Sequence, residues 1–212
     1  MREDNNMTKL LVTVDIVLFT IRERQLHVLL IRRLALPFRG GYALPGGFVA
    51  ENESLDEAAA RELCEETGVK KVYLEQLYTF GAPGRDPRGR VVTIAYYALV
   101  PNIQTLHSGT DATDAAWFPV DDLPKLAFDH REIIDYACNR IRNKLNYTNV
   151  GFELLPDKFT LTELQSVHEA ISGESLDKRN FRRKILQQGI VKPTKERQSS
   201  DGRPAQLYRF SK

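Results

Sequence analysis

At 212 residues, 42% of them hydrophobic and 27% charged, the chain has the composition of a folded globular protein, longer than one ordinary domain and short for two large ones. No apolar run approaches the ~20 residues needed to cross a bilayer, residues 1–6 lack the apolar core of a signal peptide, and Cys64 and Cys138 form no ligand cluster, so we expect a cytoplasmic protein with reduced thiols. The net charge of +2 hides a split: residues 178–212 hold eleven Lys/Arg against Glu196 and Asp201, a surplus of nine, and the rest of the chain carries 19 basic and 26 acidic groups, which points to a polyanion at one end.

In chain order, residues 1–7 read as a disordered tail. Residues 9–20 (KLLVTVDIVLFT) read as a buried strand, and residues 26–32 as a second strand after a turn near 22–24. The Gly40-Gly41 pair breaks the chain before a short segment at 42–45, and a loop opening on Gly46-Gly47 follows. Ser54 then starts a helix. Glu57, three residues on, completes a capping box, and Gly68 stands where a left-handed C-terminal cap is wanted. Leu55, Ala58, Ala59 and Leu63 supply a face to pack on a sheet. Glu62, Glu65 and Glu66, at i, i+3 and i+4, share another face. Like charges at that spacing repel by a few tenths of a kcal/mol per pair in water, and more when partly buried. A cation that neutralises them is therefore expected. Hard oxygen donors suit Mg2+ or Mn2+, which in turn suit a phosphate substrate. The plainer alternative is a surface helix with its acids solvated.

Residues 72–80 and 91–100 read as further strands, separated by the polar loop GAPGRDPRGR at 81–90. Residues 115–119 form a short strand, 121–124 begin a turn, and 129–144 form a helix with Ile133, Ile134, Ala137 and Ile141 at helical spacing. Asp129 reads as the cap of this helix with a solvated His130; a ligand contact by His130 is the other reading. His27, His107 and His168 stand alone and are assigned no chemistry. A mixed sheet with helices on its faces follows.

A hinge at residues 143–152 precedes a segment of different character. Thr160 and Glu163 form a second capping box, and Leu161, Leu164, Val167, His168 and Ile171 face inward. After a turn at 172–175, Asp177 caps a helix at 178–188. Its Phe181, Ile185 and Leu186 face inward, and Lys178, Arg179, Asn180, Arg182, Arg183 and Lys184 occupy its other faces. Strands near 190–191 and 206–210 flank an Asp-Gly turn at 201–202. Helix, turn, basic helix and ribbon look like a winged helix-turn-helix. Residues 178–188 would be its recognition helix, with Arg203 near the wing tip. The alternative is an accessory domain whose basic face is merely solvated.

The run from Gly47 to Val69 resembles the Nudix box. Gly47, Glu53, Arg61, Glu62, Leu63, Glu65, Glu66, Gly68 and Val69 fill every specified position of its pattern. The resemblance implies an α/β/α sandwich for roughly residues 8–145. It also implies a function for the helix: hydrolysis of a diphosphate linked to another group, with Mg2+ held by Glu62, Glu65 and Glu66. Arg61 would hold a carboxylate through a bidentate contact, and Glu53 would be a further ligand or orienter. Gly46 and Gly47 would let the backbone approach the phosphates. Glu65 and Glu66 are the candidates for the general base. In the loop 85–90, Arg85, Arg88 and Arg90, with Asp86 between them, suit a pyrophosphate clamp; a surface hairpin is the alternative. Pro83, fifteen residues past Gly68, resembles the ADP-ribose-specific Nudix branch. Phe80, Tyr96 and Tyr97 either stack an adenine or belong to the core.

Taken together, a Nudix-like domain at 8–148 and a winged helix at 152–212 resemble the Nudix-related transcriptional regulators of NAD metabolism, the NrtR type. The resemblance spans GRDPRGRVVT (84–93), AFDH (127–130), FTLTELQ (159–165), FRRK (181–184) and GRPAQLY (202–208). It implies a homodimer that represses NAD-salvage genes and leaves its palindromic operator on binding ADP-ribose, the half-sites lying about one helical turn apart or a multiple of that. A sister group senses arabinose instead. Many such regulators have eroded boxes. This one is complete, so an ADP-ribose pyrophosphatase, or a sensor that retains hydrolysis, stays open.

Overall fold

The computed structural model describes residues 9–70, 72–101, 115–199 and 204–211. These fall into two compact units. One is drawn from the described residues within Met1–Leu18, Val28–Ala98 and Leu106–Ala137, the other from those within Phe19–His27, Leu99–Thr105 and Cys138–Lys212. The expected tail at 1–7, His107, the Asp-Gly turn at 201–202 and Arg203 lie outside the described residues.

The first unit is organised by a seven-stranded sheet. Its central order is β3 (Tyr42–Ala43), β2 (Gln25–Arg32), β1 (Leu11–Arg22), β6 (Val91–Leu99), β5 (Tyr73–Phe80); β4 (Gly46–Phe48) pairs with β1, and β7 (Ala115–Pro119) with β2. β1 and β6 run parallel: Leu11 N donates to Arg90 O, and the Thr93 hydroxyl to Thr13 O. β4 and β3 pair antiparallel with β1 and β2, so the sheet is mixed. Val14, Ile16, Val17 and Leu18 of β1, Val28, Leu29 and Leu30 of β2, and Ala95, Tyr97 and Ala98 of β6 are wholly buried. Strands covered on both faces read as unbroken apolar runs rather than alternating ones, which is why β1 and β6 were legible. Tyr96, Tyr97 and Phe80 also belong to this core, so the adenine-stacking reading is overturned.

Helix α1 (Leu55–Thr67) is built as its caps demand. The Glu57 amide donates to the Ser54 hydroxyl, the Glu57 carboxylate accepts from the Ser54 amide at 2.8 Å, and Gly68 at φ 72° closes the end with its N–H on Cys64 O. Ala58, Ala59, Leu63 and Thr67 are buried. Helix α2 (His130–Lys144) buries Ile133, Ile134, Ala137 and Ile141, and its Tyr136 ring stacks on Tyr78 of β5 at 5.0 Å.

In the second unit, the β1–β2 hairpin turns through Glu23 and Arg24, both at positive φ, as a two-residue primed turn requires. The segment expected to be a hinge is instead packed: α2 runs to Lys144, and Val150–Leu154 forms a 3-10 turn that buries Val150 and Leu154. A short strand β8 (Phe159–Thr160), unforeseen from its length, joins β10 (Ala205–Phe210) and β9 (Val191–Gln198) in the order β8-β10-β9. Helix α3 (Leu161–Ser172) packs on β8, and helix α4 (Lys178–Gln187) packs on α3. Thr160 and Glu163 form the capping box of α3, and Asp177 caps α4 through the Asn180 amide at 2.8 Å. The inner stripe of α4 is Phe181 and Ile185, four residues apart. Leu186, expected inside, lies beside that stripe and is 48% exposed.

Candidate ligand pocket and nucleic-acid interface

A cavity of about 360 Å3 in the first unit is bordered by Asp15 on β1, the Gly46-Gly47-Phe48 strand, Glu66 of α1, Arg85-Asp86 and Arg88 of the polar loop, and Phe128 and His130. Segment 46–48, expected as loop, is a strand that binds β1 in the register Asp15↔Gly46 and Val14↔Gly47. Two glycines give no strand signal of their own; pairing with β1 imposes the extended form. Both glycines border the cavity, and packing also demands them. A Cβ on Gly46 would meet Val14 O at 2.2 Å, and one on Gly47 would meet the Glu62 carboxylate at 2.1 Å. The glycines are needed so that β4 can lie against β1 and α1.

The box glutamates are disposed differently from the expected metal trio. Arg61 is their counter-ion. Its Nε and Nη2 fork onto Glu53 at 2.9 and 2.7 Å, and its Nη1 reaches Glu62 at 2.8 Å and Glu65 at 3.2 Å. Arg61 holds Glu53 down at about pKa 2, and these carboxylates raise the guanidinium in turn. Glu66 turns the other way, accepting the Gly46 N–H at 2.8 Å. Burial, then the neighbouring Glu62 and Asp15, push Glu66 up to about 8 against that hydrogen bond, so it is mostly protonated at neutral pH. Among the described residues no group of three or more His, Cys, Asp or Glu side chains converges to hold a metal ion. As arranged, Glu62, Glu65 and Glu66 therefore do not fit a resident Mg2+ or Mn2+. The repulsion expected of the acidic face is relieved by a guanidinium instead.

The arginine loop divides three ways. Arg85 is only 4% exposed and forks onto Asp129, Nε to Oδ2 at 2.8 Å and Nη2 to Oδ1 at 2.6 Å, with Asp15 at 3.5 Å. Burial works against its charge, but Asp129 and Asp15 outweigh it and raise its pKa. Arg88 forks onto Asp86, at 2.6 Å for the shorter contact, and its guanidinium lies 5.0 Å from the Phe48 ring centroid and 5.4 Å from that of Phe128. Burial of Asp86 is opposed by the Arg88 bonds, which hold its pKa low. Arg90 is not in the cavity wall; its Nη1 donates to Gly81 O at 2.6 Å.

His130 is the largest departure from expectation. It is 3% exposed rather than solvated, and Asp129 serves Arg85 rather than standing as a simple cap. The Leu44 amide donates to His130 Nδ1 at 2.8 Å, leaving Nε2 as the protonated nitrogen, 3.5 Å from Asp15. Burial lowers its pKa, against the pull of Asp15 and Asp129, and keeps the ring neutral. Sequence reasoning also missed Asp15, Arg33, Phe48 and Phe128. Arg33 lies over the Phe128 ring at 4.8 Å, and its pKa is lowered by burial and by Arg88. A lone aspartate inside the apolar run VTVDIVLF was the available signal.

In the second unit, Lys178, Arg179, Asn180, Arg183 and Lys184 of α4 are exposed, and none of the α4 cations has a carboxylate partner among the described residues. Asn180 accepts from Arg183 at 3.0 Å. Arg182 is half-buried: its Nη2 donates to the Thr162 hydroxyl at 3.0 Å, and its buried Nε has no partner among the described residues. Lys195 and Arg197, exposed at i and i+2, share a face of β9 and extend this unpaired charge. By contrast Lys158 pairs with Glu196, and Arg209 with Asp157.

Two family models match the chain: a NUDIX domain over residues 9–137 and the NrtR DNA-binding winged helix domain over residues 151–210. The chain is 40% identical over 206 residues to the ADPR-responsive transcriptional repressor NtrR of Acinetobacter baylyi, covering 95% of this chain and 82% of that protein. It is similar, at a TM-score of 0.83 and 40% identity, to Shewanella oneidensis NrtR complexed with a 27-mer DNA, covering 94% of this chain and 93% of the other. The NUDIX domain of Shewanella oneidensis NrtR complexed with ADP ribose matches at 0.59 and 41% identity, covering 66% and 94%.

Proposed function

Because the chain belongs to the NrtR family, a Nudix domain followed by an NrtR winged helix, we propose that it is a transcriptional repressor that binds operator DNA through α4 and senses ADP-ribose in the Nudix cavity. The observation that carries the DNA half is the run of α4 cations left without carboxylates. Five basic residues on a ten-residue helix repel one another, and that arrangement is relieved when phosphates face them. Lys195 and Arg197 would add backbone contacts from the wing.

For the effector, the cavity supplies cations and aromatic faces together. Arg88 is 36% exposed at its side chain and lies over Phe48 and Phe128, and Arg33 is beside it. Both suit a diphosphate, by forked or charge-assisted hydrogen bonds. Arg85, locked by Asp129, supports the wall. Glu66, neutral at pH 7, adds a donor without repelling phosphate. The assembly we expect is a homodimer on a palindrome upstream of NAD-salvage genes, in the cytoplasm; among the described residues no helix is long and apolar enough to cross a membrane.

The test is fluorescence anisotropy on a duplex from the chain's own upstream region. ADP-ribose should raise the dissociation constant, and arabinose should not. Failure to bind any palindrome there would overturn the repressor reading; release by arabinose alone would move the effector to a pentose. The complete Nudix box favours a second reading, Mg2+-dependent cleavage of ADP-ribose, which requires Arg61 to release Glu62 and Glu65 so that they can turn to a metal ion. It predicts AMP release with Mg2+ that Glu65→Gln abolishes, and no turnover over hours would eliminate it.

A further inference from the structure

Phe181 and Ile185 hold α4 to its unit, and Arg182, on the flank, is tied to the Thr162 hydroxyl of α3. The exposed side of the helix is left to other residues. Arg179, Arg183 and Leu186, at i, i+4 and i+7, form one line along it, and all three are exposed. At a rise of about 1.5 Å per residue the line is about 10.5 Å long, the length of about three base-pair steps. Leu186 is the unusual member. A single exposed leucine is ordinary on a protein surface. Here, however, every other exposed position of α4 is Lys, Arg, Asn or Gln, and Leu186 continues a line of two arginines that have no carboxylate partner among the described residues. The cations select a duplex as what faces this line. In the major groove the base edges offer hydrogen-bond donors and acceptors almost throughout; the apolar feature they carry is the C5-methyl of thymine.

We propose that Leu186 is a specificity-determining residue of the DNA interface, packing on the methyl group of a thymine while Arg179 and Arg183 hold α4 to the phosphates beside it. The assignment rests on the repressor reading, and it adds to that reading a base that the helix distinguishes. Cations on phosphates fix where the helix lies and carry no sequence information of their own. An apolar contact in the groove does carry it: thymine offers the methyl, and cytosine at the same place offers an amino group that would lose its water against a leucine side chain. Leu186 has little to do in the free protein. It lies outside the Phe181–Ile185 stripe, and its exposed surface is removed from water when the groove closes over it.

The experiment uses the full chain and the duplex from its own upstream region, with each thymine replaced in turn by deoxyuridine. That exchange removes the methyl and keeps the O4 acceptor and the base pairing. Affinity is read by fluorescence anisotropy. At one or more thymines the unmutated protein should lose about fourfold, the effect of one buried methyl group. Leu186→Ala should bind the thymine duplex about as the unmutated protein binds the uracil one, and should be indifferent to the exchange at that position. Leu186→Met, still long and apolar, should remain sensitive to it. Because the lost contact is apolar, Leu186→Ala should leave the slope of log K against log salt unchanged, unlike Arg179→Ala. The position is exposed, so these variants should melt with the unmutated protein. Indifference of the unmutated protein to every exchange overturns the proposal. So does a sensitivity that persists in Leu186→Ala, which would give the methyl to another side chain, and so does a shallower salt slope in that variant. Failure to bind the duplex at all would strike the repressor reading and this inference with it; tight binding without dependence on any methyl strikes this inference alone.

Discussion

Arg85 and Asp129 form a two-point contact, 2.8 and 2.6 Å, with the guanidinium only 4% exposed. It ties the loop after β5 to the start of α2, and Asp15 on β1 completes the neutralisation. A pair this buried serves the architecture before it serves a ligand. Removing the cation alone strands two carboxylates in a low-dielectric wall, so Arg85→Ala should lower stability by about 3–5 kcal/mol. Chemical denaturation measures this. Full stability with loss only of ADP-ribose affinity would instead make Arg85 a ligand contact.

Glu66 gives a pH dependence of definite sign. Its folded pKa, about 8, lies above the ordinary carboxyl value, so the folded state binds the extra proton. Its contribution is fully present below about pH 4.5 and is lost as pH rises through 8. Between pH 6.5 and 8 the slope should approach, and not exceed, about 1.4 kcal/mol per pH unit. Glu66→Gln, which keeps an acceptor for the Gly46 N–H, should flatten the stability profile over that range. An unchanged profile would place the proton elsewhere.

For α4, Arg179→Ala and Arg183→Ala should each weaken operator binding and reduce the slope of log K against log salt by about 0.9 for each phosphate left without its cation. Arg209→Ala, whose guanidinium is paired with Asp157, should change the slope less. Equal effects from all three would mean that the pairing in the free protein says nothing of the DNA-bound one.

Gly47→Ala is a compact probe of the β4–α1 junction. The added methyl would sit 2.1 Å from a Glu62 carboxylate oxygen that Arg61 also holds. A loss of about 1–3 kcal/mol is expected, the range for overpacking in a tight site. A melting temperature equal to that of the parent would show that Glu62 swings aside freely.

What could be read in advance followed the range of the interaction responsible. The capping boxes at Ser54–Glu57 and Thr160–Glu163 are local, span three residues and were legible. So were β1 and β6, whose burial on both faces leaves an unbroken apolar run. β4 was not, because Gly46 and Gly47 become a strand only by pairing with residues about thirty positions earlier. The arginine loop announced its chemistry but not its partners: spacing cannot tell that Arg85 will meet Asp129, 44 residues away, and that Arg90 will turn to a carbonyl. His130 was misjudged for the same reason, since its burial is set by Leu44 and Asp15 rather than by its neighbours in sequence.

The guanidinium of Arg61 is tethered, so it cannot be dialysed away. The acidic turn of α1 therefore carries its own permanent counter-charge, and chelators should leave the fold's melting temperature where it was. Any divalent ion that does enter must first displace a side chain that stays within reach to return, and its grip will be weaker for that rivalry.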